Sequence, residues 1–141
     1  MNDKKVVIMG LLILVVAMFL TNVGRPSGFV VHEPTEIWVT GPSGNSVASR
    51  GDIIIVTVKP GSAGVNNHRV NGEGVGIRCQ NRRIQGTSAS LCGKHSTCES
   101  GNVYTRRYWI NNDDEKWPSG VCYAYVVDKE AGETKGYFTI R

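Results

Sequence analysis

The sequence predicts an all-β fold, a sandwich of about seven short strands, preceded by one apolar N-terminal helix that serves as a transmembrane or signal segment. Three observations carry this prediction. Runs rich in Val, Ile, Thr and Tyr recur through residues 36–141, and the chain's seventeen glycines fall largely between them. No segment beyond residue 24 repeats its apolar residues with the period of an amphipathic helix. The stretch Val6–Leu20 (VVIMGLLILVVAMFL) is unbroken and apolar, behind Lys4 and Lys5.

That first stretch fixes where the rest of the chain resides. Fifteen residues make about 22 Å of helix, and Thr21, Asn22 and Val23 extend it to about 27 Å, enough for a short span of a hydrocarbon layer about 30 Å thick. The exit, Thr21 to Pro26, lacks the small-x-small pair of a good cleavage site, so an uncleaved anchor is the expected form. Lys4 and Lys5 against Asp3 keep the N-terminus cytoplasmic. The expectation is a single-pass cell-membrane protein with an extracytoplasmic C-terminal domain. Cleavage would instead make that domain secreted.

Three parts are expected: 1–24 as membrane anchor or signal segment, 25–35 as spacer and start of the fold, and 36–141 as the β-sandwich. Gly24–Gly28 (GRPSG) reads as the flexible part of the spacer. Glu36–Thr40 is the first strand, ended by the turn residues Gly41 to Asn45. Ile53–Lys59 (IIIVTVK) is the strongest strand signal, stopped by Pro60 and Gly61. A polar, glycine-rich connection, Ser62–Glu73, leads to Val75–Gln80, where Val75, Ile77 and Cys79 share one face and turn Cys79 inward. Asn81–Arg83 reads as a basic turn, Ile84–Leu91 as a weak edge segment and Cys92–Cys98 as a loop. Val103–Ile110 is a strand whose two faces are equally mixed. Asn111–Gly120 reads as a polar turn. Val121–Asp128 and Thr134–Arg141 close the chain as a hairpin across Lys129–Glu133. Short strands at this spacing describe a sandwich of the immunoglobulin kind.

Three motifs carry a family resemblance: Ser49–Val58 (SRGDIIIVTV), Pro118–Asp128 (PSGVCYAYVVD) and Gly136–Ile140 (GYFTI). They resemble the immunoglobulin-like domains of microbial, particularly archaeal, cell-surface proteins, and they span most of residues 36–141. The resemblance implies an adhesive, spacer or envelope-building role without catalysis. This chain departs from the pattern in its single domain and its four cysteines.

Four cysteines allow three pairings. Cys79 and Cys122 fall on inward positions of strands that would be neighbours, and Cys92 and Cys98 can close locally, so Cys79–Cys122 and Cys92–Cys98 are the expected disulfides. A competing reading of the same atoms is tetrahedral zinc, with Cys92-x-x-His95-x-x-Cys98 and Cys79 as the fourth ligand. The extracytoplasmic location favours the disulfides, and no cofactor is expected.

The charge pattern bounds the partners. Set aside Lys4, Lys5 and Asp3, and fourteen Lys and Arg face eleven Asp and Glu with their signs interspersed. That is a mildly basic surface, not a nucleic-acid footprint. The candidate binding surface comprises Trp117 as a sugar-stacking aromatic, with Trp38, Trp109, Tyr104 and Tyr108 as further aromatics, the acidic turn with Asp113 and Asp114, and the basic pair Arg106 and Arg107. Arg50-Gly51-Asp52 spells an integrin-binding tripeptide but reads as a turn before a buried strand. His32, His68 and His95 lack a neighbouring nucleophile in any triad-like pattern, so an enzyme is not expected. The expected partners are the membrane through Val6–Leu20 and other cell-surface proteins or a second copy of the chain. A glycan or metal ion is the alternative ligand.

Overall fold

In the computed structural model, which describes residues 31–67 and 74–141, ten strands follow one another without a helix among them. They are β1 (Glu36–Thr40), β2 (Val47–Ala48), β3 (Ile53–Lys59), β4 (Val65–Asn66), β5 (Gly76–Cys79), β6 (Arg82–Arg83), β7 (Thr97–Cys98), β8 (Tyr104–Trp109), β9 (Gly120–Asp128) and β10 (Gly132–Ile140). All lie in one unit, His32–Arg141. The apolar segment Val6–Leu20 and residues 68–73 lie outside the described residues. Among the described residues no helix is long and apolar enough to cross a membrane.

Two sheets result. β1, β3 and β8 form an antiparallel three-stranded sheet with β3 in the middle. In the larger sheet β10 lies between β2, which it pairs in parallel, and β9, which it pairs antiparallel from Gly132↔Asp128 to Ile140↔Gly120. The other side of β9 is shared: β5 pairs with residues 122–125, and β4 meets Asp128. β6 and β7 extend this sheet beyond β5 and β4.

Alternation along the strands decides which side chains face inward. Ile54, Val56 and Val58 of β3 turn inward, as do Val39 of β1, Cys122, Ala124 and Val126 of β9, and Phe138 and Ile140 of β10. Together with Val65, Val75, Ile77, Cys79 and Cys98 they form one hydrophobic cluster fed by both sheets. Gly136, opposite Ala124, is a point of close approach between the sheets. A Cβ there would sit 2.8 Å from the Ile37 carbonyl oxygen, so only glycine lets β1 lie against β10 at that point.

The differences from the sequence reading lie in the short pieces. Val65–Asn66, Arg82–Arg83 and Thr97–Cys98 are strands of two residues within segments expected to be connections, turns or loops, and Val47–Ala48 is another in a stretch with no expected element. Each is held by pairing to a neighbour and carries no periodic signal of its own. Ile84–Leu91, expected to be an edge segment, makes only a single bridge, Ala89 to Val75. The closing hairpin is tighter than expected, with three residues between β9 and β10. Asp128 Oδ1 accepts from the N–H groups of Glu130 (2.8 Å) and Ala131 (2.9 Å), and Gly132 takes a φ of +80°, the left-handed step that such three-residue turns require.

Candidate functional site

Cys79 and Cys122 face each other in register on β5 and β9, with Cα atoms 4.2 Å apart, and their sulfurs are bonded. The crosslink therefore staples neighbouring strands of one sheet. Cys92 and Cys98 form the second disulfide, Cα–Cα 5.6 Å, closing a seven-residue loop onto β7. With all four sulfurs paired, the zinc set Cys79, Cys92, His95 and Cys98 is not assembled. Among the described residues no three His, Cys, Asp or Glu side chains converge on a common point.

Inside the Cys92–Cys98 loop sits a residue the sequence did not single out. Asn67, buried, follows β4 and reaches 24 to 28 residues along the chain. Its Nδ2 donates to the carbonyls of His95 (2.6 Å) and Gly93 (3.3 Å), while Oδ1 accepts from the N–H groups of Leu91 and Cys92. Its own backbone N–H donates to the Ser96 carbonyl at 3.0 Å. One amide thus satisfies the backbone of a loop too short to satisfy itself. The bowl above it is lined by Ser90, Gly93, Lys94, His95, Ser96 and Arg106.

The acidic turn spends its oxygens on its own backbone. Asn111 Oδ1 accepts from Asp113 N–H, and Asp113 Oδ1 accepts from the N–H groups of Glu115 (3.0 Å) and Lys116 (3.1 Å). Asp114 instead pairs with Arg50 at 2.8 Å. This folding turns Trp117 inward, where it is 2% exposed. Trp117 is therefore a core residue and drops out of the candidate binding surface. Its indole N–H has no acceptor among the described residues. Arg50 also donates to the Trp117 carbonyl (3.3 Å) and to Ser119 Oγ (3.2 Å), and Asp52 accepts from Ser49 N–H. Arg50 latches this loop and Asp52 closes its own turn, so the two do not present a recognition tripeptide.

Arg106 and Arg107 do not form a joint patch, because adjacent residues of a strand point to opposite faces. Tyr104 and Tyr108 pack on the core, which places Arg106 with them on the inner side of β8. Arg107 lies on the outer side with Thr105 and Trp109. Register then assembles an apolar stripe across the outer face of the three-stranded sheet. Trp38 lies beside Thr57, Ile55 lies between Thr40 and Arg107, and Ile53 lies beside Trp109. Trp38 is 42% exposed, Ile53 49% and Trp109 63%.

A second aromatic group covers the outer face of the larger sheet. Tyr123 stacks with Tyr125 and Tyr137 at centroid distances of 6.4 and 5.6 Å. The Arg78 guanidinium lies 4.5 Å above the Tyr125 ring and the Lys135 ammonium 4.7 Å from the Tyr123 ring. Glu133 pairs with both cations. These contacts bury Tyr123 and Tyr125 and leave Tyr137 58% exposed. The signal was available in the alternation of Tyr123 and Tyr125, once the hairpin register places Tyr137 opposite Tyr123.

No known protein family matches the chain, and no curated protein matches it either.

Proposed function

We propose that this chain is a membrane-tethered, extracytoplasmic module of immunoglobulin-like design that works by contact with other proteins, as a structural, adhesion or accessory subunit of the cell envelope. One observation carries the reading: two tryptophans and two isoleucines line the outer face of a sheet only three strands wide, three of them well exposed. Large exposed aromatics grouped with aliphatics on a rigid sheet are the composition of a protein-contact patch. The rims of the same sheet, β1 and β8, offer backbone groups to a further strand. The apolar segment Val6–Leu20 supplies the tether, and an oxidising exterior suits two disulfides in a small domain.

The test is chemical crosslinking and sedimentation of the full chain purified from its native membrane, beside Trp38→Ser/Trp109→Ser. The expected result is self-association or a co-purifying envelope protein, lost in the double variant at an unchanged melting temperature. A wild-type chain that sediments as a monomer without protein partners would overturn the reading.

A further inference from the structure

The bowl beside the Cys92–Cys98 loop is separate from the tryptophan stripe, lying on the inner side of β8. Its volume is about 620 Å³, within the range of small-molecule sites. Three side chains that carry or can carry positive charge line it, Lys94, His95 and Arg106, together with the hydroxyls of Ser90 and Ser96, and no carboxylate is among the described residues lining it.

Arg106 is the informative member. It stands in the inward row of β8 between Tyr104 and Tyr108, opposite Val56, and is half-buried. A guanidinium on the lining of an open bowl can be reached by an anionic acceptor. Among the described residues Arg106 has neither a hydrogen-bond acceptor nor an ion-pair partner. The loop facing it is fixed from beneath by Asn67 and from its ends by the disulfide, so Lys94 is carried on a backbone already held in place. Cations grouped around an open bowl without a carboxylate complement an oxyanion.

We propose that this bowl binds a small polar ligand through an oxyanion, a carboxylate, phosphate or sulfate group seated against Arg106 and Lys94, with the hydroxyl of Ser96 completing its coordination, since that of Ser90 is spent on the Gly93 carbonyl. The free inorganic ion and an organic acid or ester share this chemistry. The bowl exceeds the volume of a bare phosphate, so it has room for the organic part as well.

The experiment is calorimetric titration of the full chain in detergent with inorganic phosphate, inorganic sulfate, glucuronate, glucose 6-phosphate and, as a neutral comparator, glucose. The oxyanions are expected to bind and glucose is not. Tighter binding of glucose 6-phosphate than of phosphate assigns the organic ligand, and equal binding assigns the free ion. Lys94→Gln and Arg106→Gln should each weaken binding about tenfold, the loss of one charge-assisted hydrogen bond. Lys94 is exposed, so its variant keeps the test informative if Arg106→Gln does not fold. Trp38→Ser/Trp109→Ser should bind the oxyanions as wild type does, which separates this site from the protein-contact face. Absence of oxyanion binding at millimolar concentration, or binding that glucose matches or that Lys94→Gln leaves unchanged, would overturn the proposal.

Discussion

The hydroxyl of Thr35 donates to Asp128 Oδ2, joining the approach to β1 with the end of β9, 93 residues along the chain. Both residues are buried. Thr35 Oγ1 in turn accepts from Gly61 N–H at 2.9 Å, just past the end of β3, while the other oxygen of Asp128 holds the β9–β10 turn. One carboxylate therefore clasps the two sheets and shapes the hairpin.

The clasp predicts an acid-sensitive stability. Burial by itself would raise the pKa of Asp128, but hydrogen bonds from Ala131 N–H, the Thr35 hydroxyl and Glu130 N–H outweigh it and hold the carboxyl below its usual range. A carboxylate whose folded pKa is depressed adds stability that is present above the unfolded value, about 3.9, and is lost as pH falls through the folded one. Asp128→Ala should cost about 2 to 4 kcal/mol at neutral pH, since it leaves the Thr35 hydroxyl and two N–H groups without their acceptor. Denaturant unfolding between pH 7 and pH 2 checks both parts: the variant's stability should fall less steeply with acid than the wild type's.

Asn67 predicts a loss that no apolar contact explains. Asn67→Ala strips partners from the N–H groups of Leu91 and Cys92 and from two carbonyls, and should cost about 2 to 4 kcal/mol. Asn67→Asp keeps the acceptor but sets a carboxylate oxygen against the His95 carbonyl, so it should be no better than the alanine. Because Asn67 and the Cys92–Cys98 disulfide restrain the same loop, their losses should not add. Thermal unfolding of the single and combined variants measures this.

The two disulfides should differ in what they contribute. By the chain-entropy argument, the loop between Cys79 and Cys122, separated by 43 positions, is worth about 4 kcal/mol and the one between Cys92 and Cys98, separated by 6, about 2 kcal/mol. Paired alanine variants measured by denaturant unfolding should reproduce that order. Non-reducing peptide mapping should recover the same two linkages, and a peptide joining Cys79 to Cys92 would contradict them.

What the sequence could show was set by how local each signal is. Ile53–Lys59 reads as a strand because its own residues carry the pattern, and the β9–β10 hairpin reads because its strands and turn are contiguous. The inward position of Cys79 follows from counting along one strand. Trp117 could not be placed this way. Its polar neighbours suggest solvent, while its burial depends on Asp113 capping the turn and on Arg50, from 67 residues upstream, holding the Trp117 carbonyl. Asn67 sits in a glycine-rich link with no periodicity, and its role exists only through partners more than twenty residues away. Arg106 and Arg107 look like one basic doublet in the sequence. Strand alternation separates them, and only packing shows that Arg106 is the inward one.

That inward placement also predicts how Tyr108 titrates. Burial pushes its phenol up to about 12, the positive charge of Arg106 draws it down, and Tyr125 adds a smaller upward push. Its hydroxyl donates to the Thr87 carbonyl at 2.8 Å, a bond that ionisation would destroy. An acid whose folded pKa is raised resists ionisation only in the native state. Its contribution is therefore present below the unfolded value, about 10, and is lost as pH rises toward 12. In an ultraviolet titration, one of the five tyrosines should ionise late, and Tyr108→Phe should remove that phase at a cost of about 1 kcal/mol. Arg106→Gln should move the late phase to still higher pH, because the neighbouring positive charge is gone. A late phase unmoved by Arg106→Gln would mean that the guanidinium does not face Tyr108 across the inner side of β8.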